Sequence, residues 1–365
     1  MFNGHRVIDV HGHISSPPAV RAFAFNLGAF NSPEDKLTLT DEQVRPAMER
    51  HLRLLDERDV DVQLLSARPV AMMHWERPRL TDAWTRVTND LIAQQCRLAG
   101  GRFAGVAQLP QNARRDTSNC IEELERCVCD LGFVAATVNP DPGADRGTPG
   151  MDDPYWFPLY KRASELEATL IVHPSVTHDP RLDSVPHSYQ FNNLVEEALA
   201  TLLLETSDVF TRFPKLRIVV CHCGGALRRM VSLGDPIDAI AQGRGEDNRI
   251  RSSDEFGGGQ VGMPVEMKTH VRPDLSNNLF FDTCAYDPHF LAAALHQRGT
   301  ARMVFGTEAP GSGSAYINPQ TGRPADDVLA ILRGFDFLTE GDIIDLVNLV
   351  PRKVFPLLAK LPLML

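Results

Sequence analysis

Short runs of Val, Ile, Leu and Phe recur along the chain, each followed by a stretch long enough for a helix. The runs are Arg6–His11, Val60–Ser66, Arg102–Leu109, Phe133–Asn139, Thr169–His173, Leu216–His222, Leu279–Cys284 and Met303–Gly306, eight in all. They are continuously apolar rather than alternating, which is the pattern of parallel strands covered on both faces. The segments between them carry helix signals. Thr40 followed by Gln43 forms a capping box, and Val44, Met48, Leu52 and Leu55 then fall on one helical face. A helix over 115–131 stops at Gly132, a residue suited to a left-handed C-terminal position, and Thr339 is placed to cap a last helix. Strand and helix alternating eight times predict a (β/α)8 TIM barrel that takes up residues 1–365 as one domain.

Two stretches break the rhythm, a polar loop at 174–190 after the fifth strand and a low-periodicity segment at 243–277 after the sixth. Long loops at strand C-terminal ends cover the active site in such barrels. The triplet Gly257-Gly258-Gly259 has no Gly-Lys-Ser/Thr after it, so a phosphate loop is not expected. The chain has 37 basic and 47 acidic residues, a net charge of −10, which leaves no electrostatic footprint for nucleic acid or an anionic membrane. No run reaches the ~18–20 apolar residues of a spanning helix, and the N-terminus enters a strand without a signal-peptide core. Seven cysteines at irregular spacing do not read as a disulfide framework, so the cytoplasm is the expected compartment. Cys127 and Cys129 read as residues packed at a helix end rather than as a metal pair.

Chemistry gathers at the predicted strand ends. His11 and His13 close the first strand after Asp9, and alternate positions on a strand face the same way, so both imidazoles can address one ion. His173 ends the fifth strand, His222 ends the sixth and Glu308 follows the eighth. Twelve histidines placed at random would rarely put four at three strand C-termini, and these ends share one rim of the barrel. Three imidazoles and one carboxylate suit a single divalent first-row ion with a position left for water. Zinc is the first choice and manganese the second. His222, flanked by Cys221 and Cys223, has simple packing as its alternative. Arg68 beyond the second strand and Arg228 and Arg229 after His222 are candidates to clamp a carboxylate, with solvated or salt-bridged arginine as the competing reading. Tyr189, His178 and His187 sit on the fifth-strand loop, where a polar cap over substrate is one role and plain exposure the other.

These residues make the sequence recognisable over nearly its whole length. It resembles the amidohydrolase superfamily, in the branch that contains aminocarboxymuconate semialdehyde decarboxylase. The resemblance implies that Asp9-x-His11-x-His13 supplies two metal ligands and His173 the third, while His222, followed by Cys223-Gly224-Gly225, acts near substrate. The acid after strand eight is usually Asp in that branch; here it is Glu308. That Glu, with Asn139-Pro-Asp-Pro142, Phe281-Asp-Thr-Cys284, Asn318-Pro-x-Thr-Gly322 and Pro351-Arg-Lys-Val-Phe-Pro356, is similar to the 4-oxalomesaconate hydratases, in which a tyrosine also follows strand five, as Tyr189 does here. Cys223 stands where a glycine is expected, 243–277 looks longer than in those hydratases, and Pro174 follows the ligand histidine as in the decarboxylases.

The resemblance implies a cytoplasmic enzyme, a dimer or tetramer, that acts on a small anionic oxo-acid from aromatic catabolism. Hydration comes first among its reactions, with Glu308 as metal ligand or acid/base and His222 as proton shuttle. Decarboxylation and C–C bond hydrolysis are the alternatives, and a metal-binding barrel without catalysis is the competing class. No lysine occupies the end of the fourth strand, where Thr137, Val138 and Asn139 stand, so a two-metal centre is not expected.

Overall fold

A computed structural model describes residues 1–34, 36–186, 188–227 and 278–362, with Tyr189 described by its backbone alone. Eight parallel strands follow one another in chain order: β1 (Ile8–His13), β2 (Val62–Ser66), β3 (Phe103–Gln108), β4 (Ala135–Val138), β5 (Thr169–Val172), β6 (Ile218–Val220), β7 (Leu279–Asp282) and β8 (Met303–Val304). Every strand residue is buried, as continuous apolar runs require when helices cover the outside and side chains fill the inside. Two backbone bonds close the ring between its first and last strands. The Val10 amide donates to the Phe305 carbonyl at 2.8 Å, and the Glu308 amide donates to the His11 carbonyl at 2.7 Å. The fold is the expected (β/α)8 barrel.

The helices lie between the strands. α1 (Pro18–Phe30) and α2 (Asp41–Glu57) follow β1, α3 (Pro78–Leu98) follows β2, α4 (Ser118–Cys129) follows β3 and α5 (Phe157–Leu166) follows β4. α6 (Ser188–Thr206) and α7 (Val209–Arg212) follow β5, α8 (Pro288–Arg298) follows β7, and α9 (Val328–Arg333) follows β8. The α2 boundary forms as its sequence dictates, with the Thr40 amide donating to Gln43 Oε1 at 2.9 Å and Val44, Met48 and Leu55 buried. α4 is shorter than the expected 115–131, and Gly132 beyond it takes a φ of +71°. Cys127 is buried and Cys129 exposed, so the two thiols do not share a site.

Strand ends are where the reading and the structure differ. β1 runs on to His13, whereas β5 and β6 stop before His173 and His222. Those two histidines therefore sit in the turns that leave the sheet, where side chains are free to lean over the barrel mouth. The loop after β5 gives way to α6 at Ser188, so Tyr189 lies in a helix rather than on the loop. Arg228, Arg229, His187 and the whole of 243–277 lie outside the described residues.

β1 contains one extra residue. Its register with β2 pairs Asp9 with Gln63 but Gly12 with Leu65, so three steps on β1 match two on β2. Such a bulge re-aims the side chains beyond it. Gly12 has no alternative at this point, because a Cβ there would lie 2.0 Å from Gln63 Cδ. Gln63 cannot yield easily, since its amide nitrogen donates to both Asp9 and the Ala309 carbonyl at 2.7 Å. Gly12→Ala is expected to destabilise the fold by about 1–3 kcal/mol through overpacking. Urea denaturation checks this, and an unchanged midpoint would show that Gln63 moves aside at no cost.

Candidate metal centre

Four side chains that the sequence singled out meet at the C-terminal mouth of the barrel. One ligand-type atom from each of His11, His13, His173 and Glu308 falls within 4.8 Å of the others. The His11 and His13 Nε2 atoms are only 3.3 Å apart, and the His173 ring centroid lies 5.1 Å from that of His11 and 5.3 Å from that of His13. Glu308 Oε1 is 3.8 Å from His13 Nε2. All three histidines are nearly fully buried.

The protons on these rings are placed by their outer nitrogens. His11 Nδ1 donates to Asp282 Oδ2 at 2.7 Å, and His173 Nδ1 donates to the Pro174 carbonyl at 2.7 Å. Ser66 spends its hydroxyl proton on the Gly12 carbonyl at 2.9 Å, so its oxygen accepts from His13 Nδ1, also at 2.9 Å. With Nδ1 protonated on each ring, every Nε2 carries a lone pair, and the three lone pairs converge. Burial keeps two of the rings, His13 and His173, neutral. It lowers the pKa of His13 to about 4, and burial with the neighbouring imidazoles holds His173 well below its usual range. His173 Nε2 is buried with no hydrogen-bond partner. Converging imidazole Nε2 atoms, one of them buried and orphaned, fit a cation and little else.

Asp9 binds the frame rather than the centre. Its Oδ1 accepts from the His11 and Thr307 amides, and its Oδ2 accepts from Gln63 and from the Thr307 hydroxyl at 2.6 Å. Burial raises its pKa to about 6, against the pull of those bonds. Asp282 at the end of β7 ties the turn after β6 to the site, because its Oδ1 accepts from the Cys223 amide at 3.4 Å and the Cys284 amide at 3.0 Å while Oδ2 holds His11.

Glu308 has a φ of +60°, in the left-handed region that costs a residue with a side chain about 1 kcal/mol or more. Its amide bond to the His11 carbonyl holds it there. Burial opposes its ionisation, yet the His13 contact and the charge of His222 keep the carboxyl well below its usual pKa. The two oxygens face different ways. Oε1 points towards the histidines, while Oε2 accepts a 2.8 Å hydrogen bond from the Tyr286 hydroxyl and lies 3.9 Å from His222 Nε2.

His222 stands at the rim of the same cluster, its Nδ1 2.7 Å from Glu197 Oε1. Burial disfavours its cation, but the Glu197 charge and hydrogen bond outweigh burial and raise its pKa, so the ring is a proton donor. Gly225 makes this pairing available. A Cβ there would meet the Leu194 carbonyl at 2.3 Å, so only glycine lets α6 approach closely enough to deliver Glu197. Cys223, where glycine was expected, does adopt a left-handed φ of +58°.

A cavity of about 430 Å³ opens over the cluster, lined by His13, His173, His222, Glu308, Arg68 and Tyr286 among others. Arg68 gives two donors to backbone, Nε to the Ile14 carbonyl and Nη2 to the Pro310 carbonyl, each at 3.2 Å. No carboxylate pairs with it among the described residues, so a half-buried cation faces the cavity. His178 does not join this site; it is exposed and bonded to Asp183 at 2.9 Å. At the fourth strand end Asn139 is buried, bonding His74 at 3.2 Å and Gln111, and no lysine is present.

Asp282, Glu197 and Tyr286 were not assigned from sequence. Asp282 had a signal, a charge ending the apolar run Leu279–Phe281, and Glu197 had one too, since α6 turns Asn192, Asn193, Glu196 and Glu197 inward. Tyr286 carries none, because a tyrosine four residues past the end of β7 has no periodicity to mark it.

The family model for amidohydrolases matches residues 8–357. The 2-keto-4-carboxy-3-hexenedioate hydratase of a Sphingobium species is 29% identical over 362 residues, covering 96% of each chain. The crystal structure of 4-oxalomesaconate hydratase from Rhodopseudomonas palustris superposes with a TM-score of 0.76 at 26% identity, covering 97% of both chains. A dihydroxybenzoic acid decarboxylase from a Polaromonas species, solved with bound manganese and 2-nitroresorcinol, shares the fold at a TM-score of 0.61 and 21% identity over 97% of both chains.

Two variants test the centre. His11→Ala/His13→Ala is expected to lose its divalent metal by elemental analysis, and full metal content would contradict the grouping. Asp282→Asn, which leaves the ligand atoms in place but frees the His11 ring, should weaken metal affinity by about 10–100-fold.

Proposed function

The chain belongs to the amidohydrolase family, and on that premise we propose that it is a metal-dependent hydratase of a small unsaturated oxo-acid carrying two or three carboxylates. The observation that carries this reading is the convergence of three imidazole lone pairs and Glu308 beneath a cavity walled on one side by Arg68. His11, His13, His173 and Glu308 would hold one divalent ion, zinc before manganese on the chemistry of the donors. When bound, such an ion supplies Lewis acidity, lowering the pKa of water towards ~7 and polarising an oxo group. Among the described residues the end of β4 offers no further donor for a second ion.

The protein's own groups do the rest. Arg68 anchors a substrate carboxylate through the guanidinium edge its backbone bonds leave free. Glu308, a carboxylate at neutral pH, takes a proton from water as the water oxygen bonds to one carbon of the double bond. His222, held protonated by Glu197, gives a proton to the adjacent carbon, so water is added with its atoms accounted for. Tyr286 fixes Glu308 Oε2 between these partners. Walls formed by Pro69, Val70, Leu194 and Phe290 keep bulk water from this exchange. Arg228, Arg229 and Tyr189 are further candidates for carboxylate and substrate contacts, offered on their chain positions alone.

Hydration is placed before decarboxylation because strand eight delivers Glu rather than Asp, and because the hydratase structure superposes more closely, with a TM-score of 0.76 against 0.61 for the decarboxylase. Decarboxylation by the same site is the second reading, favoured by the decarboxylases that also match. We further propose that residues 1–365 act as one catalytic unit in a dimer or tetramer, without nucleic-acid or membrane partners. Among the described residues no helix is long and apolar enough to cross a membrane. Seven free thiols suit the cytoplasm.

Incubation of the metal-loaded protein with 4-oxalomesaconate in ¹⁸O-water is expected to bleach the conjugated absorbance and add one labelled oxygen per product. Release of carbon dioxide instead would move the assignment to the second reading. Glu308→Gln should fold normally and lose at least about 10²-fold in kcat, whereas a retained rate would remove Glu308 from the chemistry.

A further inference from the structure

A second cleft, of about 1140 Å³, lies on the far side of Arg68, between the β1–α1 connection and helices α1, α2 and α3. Its walls are apolar and aromatic. Trp75 and Trp84, two of the three tryptophans in the chain, line it, and Phe25 stands at its edge 72% exposed. The charged side chains it presents are of one sign. Arg21 on α1, Arg50 on α2 and Arg68 line it, and no aspartate or glutamate does among the described residues. Neither Arg21 nor Arg50 forms an ion pair among the described residues. In a chain with ten more acidic than basic side chains, three arginines beside an apolar cleft with no facing acid are a local reversal of the overall charge.

We propose that this cleft is a second ligand site, for an anion with a large apolar body of the aromatic or aliphatic carboxylic acid class. Apolar surface set against two indoles supplies the affinity, and a guanidinium at the rim takes the carboxylate. The cleft is separate from the catalytic cavity but shares a wall with it. Arg68 is bonded to the Ile14 and Pro310 carbonyls, and both of those residues line the cleft. His51, also in its lining, donates from Nε2 to Gln63 Oε1 at 2.7 Å, and Gln63 in turn holds Asp9 beneath His11. An occupant therefore rests against two of the groups that fix the metal-side frame. The proposal rests on the cleft alone and stands whichever reaction the catalytic site performs.

Isothermal titration calorimetry of 2-naphthoate into the metal-loaded full chain tests it, with the neutral analogue 2-naphthylmethanol as control. One anion should bind per chain, and the alcohol should bind more weakly. Arg21→Ala/Arg50→Ala removes exposed charges without touching the catalytic cavity, and should raise Kd by about tenfold, the loss of a charge-assisted contact. Ala24→Phe, which fills the cleft from a half-buried position on α1, should abolish binding while circular dichroism reports an intact fold. Binding that survives both variants belongs to the catalytic cavity and overturns the proposal. So does equal affinity for the alcohol, or no binding at all.

Discussion

Three imidazoles that turn their Nε2 atoms toward one another form an arrangement that calls for a cation between them, and the bonds around the barrel mouth hold it. Two Nε2 atoms 3.3 Å apart cannot be a hydrogen bond when both Nδ1 atoms are spent on outward partners. Each ring is pinned by a different element: His11 by Asp282 at the end of β7, His13 by Ser66 at the end of β2, His173 by its own turn carbonyl after β5. Loss of one pin frees one ring to rotate and turns a binding constellation into three separate histidines. The protein's investment in buried polar bonds around the barrel mouth is therefore directed at orientation more than at stability.

A second layer divides the labour of Glu308. Backbone bonding to β1 and a left-handed φ bring its carboxylate inward, and Tyr286 then separates its two oxygens. One faces the histidines and the other faces His222 and the substrate cavity. On the proposed reading, a group placed in this way would serve both the metal and the proton path. Glu197 keeps His222 cationic, the His13 contact leads in keeping Glu308 ionised, and the opposite charges of Glu308 and His222, 3.9 Å apart, reinforce both.

Much of this was legible in the sequence, for identifiable reasons. Continuous apolar runs report strands buried on both faces, so the barrel and its order followed from pattern alone. His11, His13, His173 and Glu308 were legible because strand ends in a barrel share a rim, and so chain position stands in for spatial position. Asp282 and Glu197 were harder, since each acts through another residue and its partner lies far along the chain. The bulge in β1 was illegible for a further reason. It depends on Gln63 filling the space beneath Gly12, a contact between strands that no local pattern announces. Cys223 shows the converse: a departure from the expected glycine that the backbone accommodates without losing the turn.

The central claim is that the centre is built from three imidazole nitrogens and one carboxylate oxygen, although Cys221 and Cys284 lie close enough to His11 to offer sulfur instead. X-ray absorption spectroscopy at the zinc edge of the loaded protein measures this directly. The account predicts a shell of nitrogen and oxygen scatterers at about 2.0–2.2 Å with the multiple scattering of imidazole. A sulfur shell at about 2.3 Å would contradict it, because the ion would then sit against the thiols and leave the converging lone pairs unexplained.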